Sequence, residues 1–164
     1  MIRTITDNEH EAILAAEQDP EWKAFWQVLF ETGIEDVAKV ANLHATAFDR
    51  ETVCLLCGAA GVQYKLSEKC AALLIPLLSG VLLFPNVKGD ADNPEVVARS
   101  ARRFGGLCNQ AGIPRHGIDC YRHTGLGLVT DEQLATWSGR RGKDDQRYDE
   151  LSAEEIISSC RGLK

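Results

Sequence analysis

The sequence has no long apolar run and no secretory leader. Its longest apolar stretch, CAALLIPLL, contains Pro76 and is far shorter than the run of about 18 apolar residues that a membrane-spanning helix needs. The opening MIRTITDNEHEA lacks the apolar core after a basic start that characterises a signal peptide. The six cysteines are scattered along the chain. These absences predict a protein of the reducing cytoplasm without membrane contact.

Positive charge is scarce overall, since the net charge is −6 and the isoelectric point is about 5.2. Binding of nucleic acid by the whole surface is therefore not expected, because phosphate contacts need lysine and arginine. The segment 99–147 nevertheless holds nine basic residues against five acids, and the rest of the chain carries a net charge of −10. This asymmetry predicts a local basic face. Candidate DNA-binding residues on it are Arg99, Arg102, Arg103, Arg115, Arg141, Lys143 and Arg147.

Length and composition predict one globular domain. The 164 residues are enough for one core, and hydrophobic and charged residues make up 45% and 26% of the chain, which are ordinary values. The sequence contains no internal repeat, no low-complexity tract and no linker. We therefore expect a single domain over residues 1–164.

Helix signals dominate the N-terminal part. Thr6 and Glu9 have the spacing of a capping box, which predicts a helix after Thr6. Asp19 before Pro20 predicts the start of a second helix, and Gly33 its end. IEDVAKVANLH predicts a third, shorter helix. The apolar stripe of the second helix, which we interpret as core rather than as a base-stacking surface, consists of Trp22, Phe25, Trp26, Leu29 and Phe30.

The middle of the chain has a different pattern. ETVCLLC and VQYKL flank GAAG and predict a β-hairpin, and Ser67 is placed to cap a helix that Pro76 must kink or shorten. GVLLFP predicts a short extended segment, and NVKGDADNPE predicts a loop. Pro94 predicts the start of a long helix. Further helices are predicted after Thr130 and Ser152. The fold class is therefore α+β and mainly α-helical, a helical bundle with a small antiparallel β-sheet inserted near residues 50–66.

The order of these segments resembles the catalytic domain of the tyrosine recombinases, the phage-integrase family. TITDNEHE through ETGI resembles its capped helix pair and T-G-(Leu)-Arg turn, and the hairpin with YKLSEKCAALLIPLL resembles its small sheet and next helix. GVLLFP resembles a strand of that domain. LCNQAGI and YRHTGL resemble the region of its H-x-x-R-H box, and WSGRRGKDDQRYDE resembles the segment before its nucleophile. The resemblance covers nearly the whole chain and implies DNA binding and DNA recombination or integration. The family's N-terminal core-binding domain has no counterpart in this sequence.

The resemblance also implies a reaction. In that family a tyrosine hydroxyl attacks the scissile phosphate and forms a 3′-phosphotyrosine, while two arginines neutralise the non-bridging oxygens. A lysine and a histidine assist proton transfer to the leaving 5′-oxygen. Residue by residue, Tyr148 falls on the nucleophile, Arg122 on the second arginine and His123 on the histidine after it. We expect no cofactor and no metal.

Other positions depart from the family pattern. Glu35 stands where the first arginine is expected, and Asp119 stands where a histidine precedes Arg122 by three residues. Both carboxylates repel phosphate. Arg140 replaces the later histidine or tryptophan. Losing one charged transition-state contact typically costs about 10²–10³ in rate, so the departures predict reduced or lost strand cleavage.

Substitutes for the missing groups are available in the sequence. The family lysine lies in the hairpin turn, where GAAG has none, and Lys65 in the following strand is a poor substitute. His116 could replace the missing histidine, and Arg140 or Arg141 the missing arginine. A second subunit could also complete the site.

Each residue also has an ordinary interpretation. Arg122 can pair with Asp119, His123 can be a hydrogen-bonded core residue, Tyr148 can be a packed aromatic, and SGRRGKDD can be a solvated loop. CLLC lacks the second pair that a zinc site needs, and TGLGL lacks the third glycine of a dinucleotide-binding loop.

Three functional hypotheses follow. The first is a recombinase-like domain that acts on DNA, and the second is a protein-interaction or regulatory module that kept the fold. The third is an unrelated helical domain. The terminal SAEEIISSCRGLK could pack on its own core or on a protein partner or second copy.

Overall fold

The computed structural model of the chain describes residues 5–34, 36–57, 62–114, 117–118 and 120–121. The α-helices in these residues are α1 (Asp7–Ala16), α2 (Pro20–Thr32), α3 (Val37–Ala41), α4 (Glu68–Leu74), α5 (Pro85–Lys88) and α6 (Asn93–Ala111). The strands are β1 (Phe48–Asp49), β2 (Cys54–Cys57) and β3 (Val62–Lys65). Short 3₁₀ turns lie at Ala45–Ala47 and Ile75–Leu77.

The ends of α1 and α2 confirm the predicted helix boundaries. Thr6 Oγ1 accepts the Glu9 backbone N–H at 3.2 Å, and the Glu9 carboxylate accepts the Thr6 N–H at 2.9 Å, which completes the capping box. The Asp19 carboxylate accepts two backbone N–H groups in the first turn of α2. Gly33 ends α2 with a φ of 66°, a left-handed conformation that glycine adopts at little cost.

The later helices begin at similar caps. Asp36, Ser67 and Asp92 each accept a backbone N–H in the first turn of α3, α4 and α6, respectively. Pro94 lies in the first turn of α6, as predicted, and Gly112 ends this helix with a φ of 67°. The short polar residues and the glycines therefore determine where the helices start and stop.

The small sheet has the order β1-β2-β3, and both pairs are antiparallel. The predicted hairpin of β2 and β3 is confirmed, although its turn at 58–61 lies outside the described residues. Leu55 pairs with Phe48 on one side and Tyr64 on the other, and these three buried side chains form the apolar face of the sheet. β1 was not predicted, because two residues are too few to show an alternating pattern.

Two details after the sheet differ from the sequence-based prediction. Pro76 ends α4 in a 3₁₀ turn as expected, but the GVLLFP segment forms only an isolated bridge between Leu82 and His44 rather than a strand. The predicted loop NVKGDADNPE begins as the single-turn helix α5. Pro85 supplies its first helical position, and the backbone N–H groups of Asn86 and Val87 bond to the Glu21 carboxylate.

The core is built around α2. The side chains of Phe25 and Trp26 are fully buried; Phe25 packs edge-on against Phe84, and Trp26 contacts Phe104 of α6. The interpretation of the α2 stripe as core is therefore confirmed. The helices predicted after residues 130 and 152 lie outside the described residues.

Candidate functional site

The turn after α2 leads to position 35, where the resemblance expects an arginine. Thr32 Oγ1 donates to the Val28 carbonyl at 2.7 Å and accepts the Ile34 N–H at 3.3 Å, so this side chain closes the turn around Gly33. Thr32 and Ile34 are buried. The T-G-I turn is therefore held by its own threonine, while Glu35 itself lies outside the described residues.

A buried polar line crosses from this half of α2 to Tyr121. His10 of α1 lies between the two, with Nε2 2.8 Å from Gln27 Oε1 and Nδ1 3.2 Å from the Tyr121 hydroxyl oxygen. The imidazole stacks on Phe30, with the ring centroids 4.0 Å apart and the planes 8° from parallel. Tyr121 immediately precedes Arg122 and is 1% exposed. The chain is thus fixed at Tyr121, inside the segment that resembles the H-x-x-R-H box and directly before Arg122.

Glu31 continues the line toward the sheet. Gln27 Nε2 donates to its carboxylate at 2.5 Å, and the backbone N–H and hydroxyl of Ser67 donate to it at 2.7 and 2.8 Å. Ser67 caps α4 and follows Lys65, the last residue of β3, by two positions. Burial, together with the neighbouring Glu31 carboxylate, raises the pKa of the Cys70 thiol. Glu31 therefore ties the β3–α4 junction to α2.

Three segments next to predicted site positions consequently meet the C-terminal half of α2. The turn to residue 35 continues it, the β3–α4 junction bonds to Glu31, and Tyr121 reaches Gln27 through His10. Gln27 and Glu31 are one helical turn apart and share one face. These three described segments, each next to a predicted site position in the sequence, are therefore attached to one helix.

The surroundings of His10 favour the neutral form of its imidazole. Burial lowers the pKa of its imidazole, and this effect outweighs the opposing hydrogen bond with Gln27 and the nearby Glu11 and Glu31 carboxylates. The Lys69 ammonium lowers this pKa further. A neutral imidazole has one donor and one acceptor nitrogen, which matches the two partners that His10 contacts.

A second polar cluster joins α1, α2 and α6 around Glu17. Arg103 donates to both carboxylate oxygens, at 2.9 Å from Nε and 2.6 Å from a terminal nitrogen, and Trp26 Nε1 donates at 3.1 Å. The Arg103 guanidinium also lies 4.7 Å from the Trp22 ring centroid. Burial alone would raise the pKa of Glu17, but the bonds from Arg103, Trp26 and the Asp19 N–H lower it overall.

The other described arginines of the predicted basic face also have partners within the chain. Arg99 donates to the carbonyls of Val87 and Lys88 at the end of α5, and Arg102 pairs with Glu95 at 3.1 Å on the same helix. The Arg102 side chain is 68% exposed, whereas that of Arg103 is 38% exposed. Of these three arginines, Arg102 is therefore the most accessible to a phosphate.

Lys65 has a partner in the turn before β2. Its ammonium donates to the Thr52 carbonyl, and the following residue, Leu66, donates its N–H to the Val53 carbonyl at 2.9 Å. Val53 has a φ of 55°, which is strained for a β-branched residue. Lys65 thus supports this turn through its ammonium group.

The remaining predicted site residues fall outside the described part of the chain. They are Glu35, Arg115, His116, Asp119, Arg122, His123, Arg140, Arg141, Lys143, Arg147 and Tyr148. Sequence reasoning missed three polar residues that hold the described segments next to these positions, His10, Gln27 and Glu31. Two of these, His10 and Gln27, are uncharged polar residues that are buried beside apolar stripes, which is the only sign of them in the sequence.

The described residues contain neither a cluster suited to a metal ion nor a helix suited to crossing a membrane. Among them, no three His, Cys, Asp or Glu side chains are grouped in a way that could hold a metal ion. Over the same ranges, no helix combines the length and apolarity needed to cross a membrane.

The fold matches that of a known recombinase. The chain is similar to the crystal structure of XerA recombinase, with a TM-score of 0.66 and 20% sequence identity. The similarity covers 96% of this chain but 56% of that recombinase, so the chain spans little more than half of its length. No protein-family model and no curated protein matches the sequence. The mainly helical architecture with its three-stranded antiparallel sheet is therefore a recombinase-like fold, as the sequence predicted.

Proposed function

We propose that this chain is a single DNA-binding domain of the tyrosine-recombinase type, over residues 1–164, with reduced or lost strand-cleavage activity. Tyr148, Arg122 and His123 take the roles of nucleophile, phosphate-binding arginine and proton-transfer histidine. The observation that carries the proposal is the recombinase-like fold, which extends over nearly the whole chain.

The hydrogen bonds that α2 and His10 make with neighbouring segments support this proposal. A catalytic arrangement must be held by residues whose own positions are fixed by packing and hydrogen bonds. The turn to position 35, the β3–α4 junction and Tyr121 are each fixed by side chains of α2 or by His10. The described residues that lie next to the predicted boxes in the sequence are therefore held in defined positions.

Reduced cleavage follows from the charges at the altered positions. Glu35 and Asp119 place carboxylates where the family has an arginine and a histidine. Losing one such transition-state contact costs about 10²–10³ in rate. His116, Arg140 and Arg141 are the residues that would have to compensate, alone or with those of a second subunit.

DNA binding is tested by gel shift with mixed duplex DNA over a range of salt concentrations. We expect weak binding at low salt that falls steeply as salt rises, because each phosphate contact releases counterions. Folded protein that binds no DNA at low salt would exclude the DNA-binding proposal.

Cleavage is tested separately with a nicked suicide substrate. Any remaining activity traps a covalent protein–DNA adduct, which Tyr148→Phe must abolish because no other residue is assigned as nucleophile. An adduct that survives Tyr148→Phe would contradict the assignment. The absence of any adduct in the unaltered chain, with DNA binding retained, is the result that a lost cleavage activity predicts.

A non-enzymatic interaction module is the second candidate function. The net charge of −6 and the internal partners of Arg99, Arg102 and Arg103 favour it, because Arg102 and Arg103 already pair with carboxylates of the chain and Arg99 already bonds to backbone carbonyls. This candidate predicts no salt-dependent DNA binding, so the same gel shift separates the two functions.

A further inference from the structure

The reaction proposed above makes no use of the line of hydrogen bonds that runs from the exposed Ser67 through the half-buried Glu31 to the buried side chains of Gln27, His10 and Tyr121. Four of its hydrogen bonds lie between 2.5 and 3.2 Å. His10 is 1% exposed and connects residues that are 17 and 111 positions away in the chain. Buried polar groups of this kind are costly unless every donor and acceptor is matched.

The direction of each hydrogen bond follows from the charge at one end. The Glu31 carboxylate only accepts, so the Gln27 side chain must turn its NH₂ group toward Glu31 and its carbonyl toward His10. The Gln27 carbonyl also only accepts, so His10 Nε2 must carry a hydrogen. In a neutral ring Nδ1 then has a lone pair and accepts the Tyr121 hydroxyl hydrogen.

We infer that His10 is a positioning residue whose neutral, Nε2-protonated tautomer holds Tyr121 and thereby fixes the backbone that enters the Arg122–His123 box. The functional part of this inference rests on the proposed recombinase-type function. The orientation of His10 and its effect on residues 120–121 are properties of the chain that can be measured without DNA.

The charged and titratable groups around His10 are consistent with a neutral ring. Glu11 lies on its own helix, Glu31 on α2 and Lys69 on α4, and Lys69 forms an ion pair with Glu11. Tyr121 faces the ring edge-on, with the centroids 5.6 Å apart. Burial raises the pKa of the Tyr121 hydroxyl, which keeps it protonated as the donor that Nδ1 requires.

Nitrogen-15 NMR of the histidine side chains at neutral pH tests the tautomer. We expect the His10 ring to be neutral with its hydrogen on Nε2. Gln27→Met removes the acceptor for that hydrogen while keeping a similar volume, and we expect a mixture of the two tautomers in this variant. A cationic ring in the unaltered chain, or a hydrogen on Nδ1, would overturn the inference.

Hydrogen exchange tests whether His10 positions the chain before Arg122. The Cys120 and Tyr121 amides bond to the carbonyls of Gly117 and Ile118 at 3.0 and 3.4 Å. Tyr121→Phe removes only the hydroxyl, and we expect it to speed exchange of these two amides roughly fivefold, the effect of losing one hydrogen bond. His10→Phe, which retains an aromatic ring over Phe30, has the same expected direction.

Tyr64→Phe is the matched control, since it removes the hydroxyl of a buried tyrosine in β3 that is not a member of the line from Ser67 to Tyr121. If Tyr64→Phe speeds exchange at residues 120 and 121 as much as Tyr121→Phe does, or if Tyr121→Phe has no effect, the positioning role is excluded.

Gel shifts of the same variants distinguish this inference from the proposed function. We expect Tyr121→Phe to weaken DNA binding and Tyr64→Phe to leave it unchanged. If no form of the chain binds DNA, the proposed function fails while the tautomer and exchange results still decide the role of His10. If DNA binds equally well to the Tyr121→Phe protein with faster exchange, His10 orders the segment without serving DNA binding, and the functional part is overturned.

Discussion

Arg103 and Glu17 form a bidentate ion pair between α6 and the end of α1, and its two members differ in burial. The Glu17 side chain is 1% exposed, whereas that of Arg103 is 38% exposed. The carboxylate depends on its partner more than the guanidinium does, because a buried charge without a partner is costly and an exposed one is solvated. This asymmetry distinguishes Arg103 from Arg102 one position earlier.

Arg103→Ala should therefore destabilise the fold. We expect a loss of about 2 kcal/mol in the free energy of unfolding, less than for a fully buried pair because water can reach part of the site. Urea denaturation measures this loss. Arg102→Ala is the control, since its partner Glu95 is exposed on the same helix and its loss should cost at most about 0.5 kcal/mol. Equal losses in the two variants would contradict the assignment of Arg103 as a structural residue.

Gly106 offers a stabilising substitution. It lies within α6 beside a groove of about 310 Å³, and a methyl group added to it would meet no atom within 4 Å. Gly106→Ala should raise the free energy of unfolding by about 0.5–1 kcal/mol, because alanine loses less backbone entropy in a helix. Gly112→Ala is the opposite control, since the φ of 67° at that residue should make the substitution destabilising. A loss of stability from Gly106→Ala in thermal unfolding would show that the groove is not open to a methyl group.

The stability of the fold should depend on pH through His10. The pKa of this histidine is lowered in the folded chain from its ordinary value of 6.5, so below pH 6.5 the unfolded chain binds a proton that the folded chain does not. The contribution of His10 is therefore complete above pH 6.5 and decreases as the pH falls toward the lowered value. The measurement is the free energy of unfolding of the unaltered chain and of His10→Phe at several pH values. We expect the difference between them to shrink on acidification, and a constant difference would be the contrary result.

Glu35→Arg restores the family's arginine at the position where this chain has an acid. Under the proposed function it should tighten DNA binding and steepen the salt dependence by roughly one counterion. Asp90→Arg makes the same change in charge at an exposed residue between α5 and α6 and serves as the control. Gel shifts over a salt series measure both variants. Equal effects would mean that net charge, rather than position 35, governs the binding.

Local signals in the sequence predict most of the helices correctly. Thr6, Asp19 and Ser67 cap where short polar side chains are expected to cap, and Pro94 and Gly33 start and end helices as their backbone preferences require. These residues act on their immediate neighbours, so the sequence alone contains the information. β1 and α5 were missed because both are too short for periodicity to show.

The candidate site was less predictable because its supporting contacts connect distant residues. His10 was not recognised as a buried residue with two partners, since Gln27 and Tyr121 are brought to it only when α1 packs against α2 and the chain returns after α6. The same holds for Arg103. The charge distribution of the sequence placed this residue on a predicted basic face, whereas in the folded chain it forms an ion pair with Glu17. Nothing local in either residue distinguishes these roles.

The spacing of Gln27 and Glu31 on α2 has a mechanical consequence. The two residues are separated by about 6 Å along the helix axis, and each is a point of attachment for a different part of the chain. A translation of α2 along its axis would act on both attachments, directly at the β3–α4 junction and through His10 of α1 at Tyr121. The β3–α4 junction and the segment that ends at Tyr121 are thus coupled through one helix, and breaking either attachment would uncouple them.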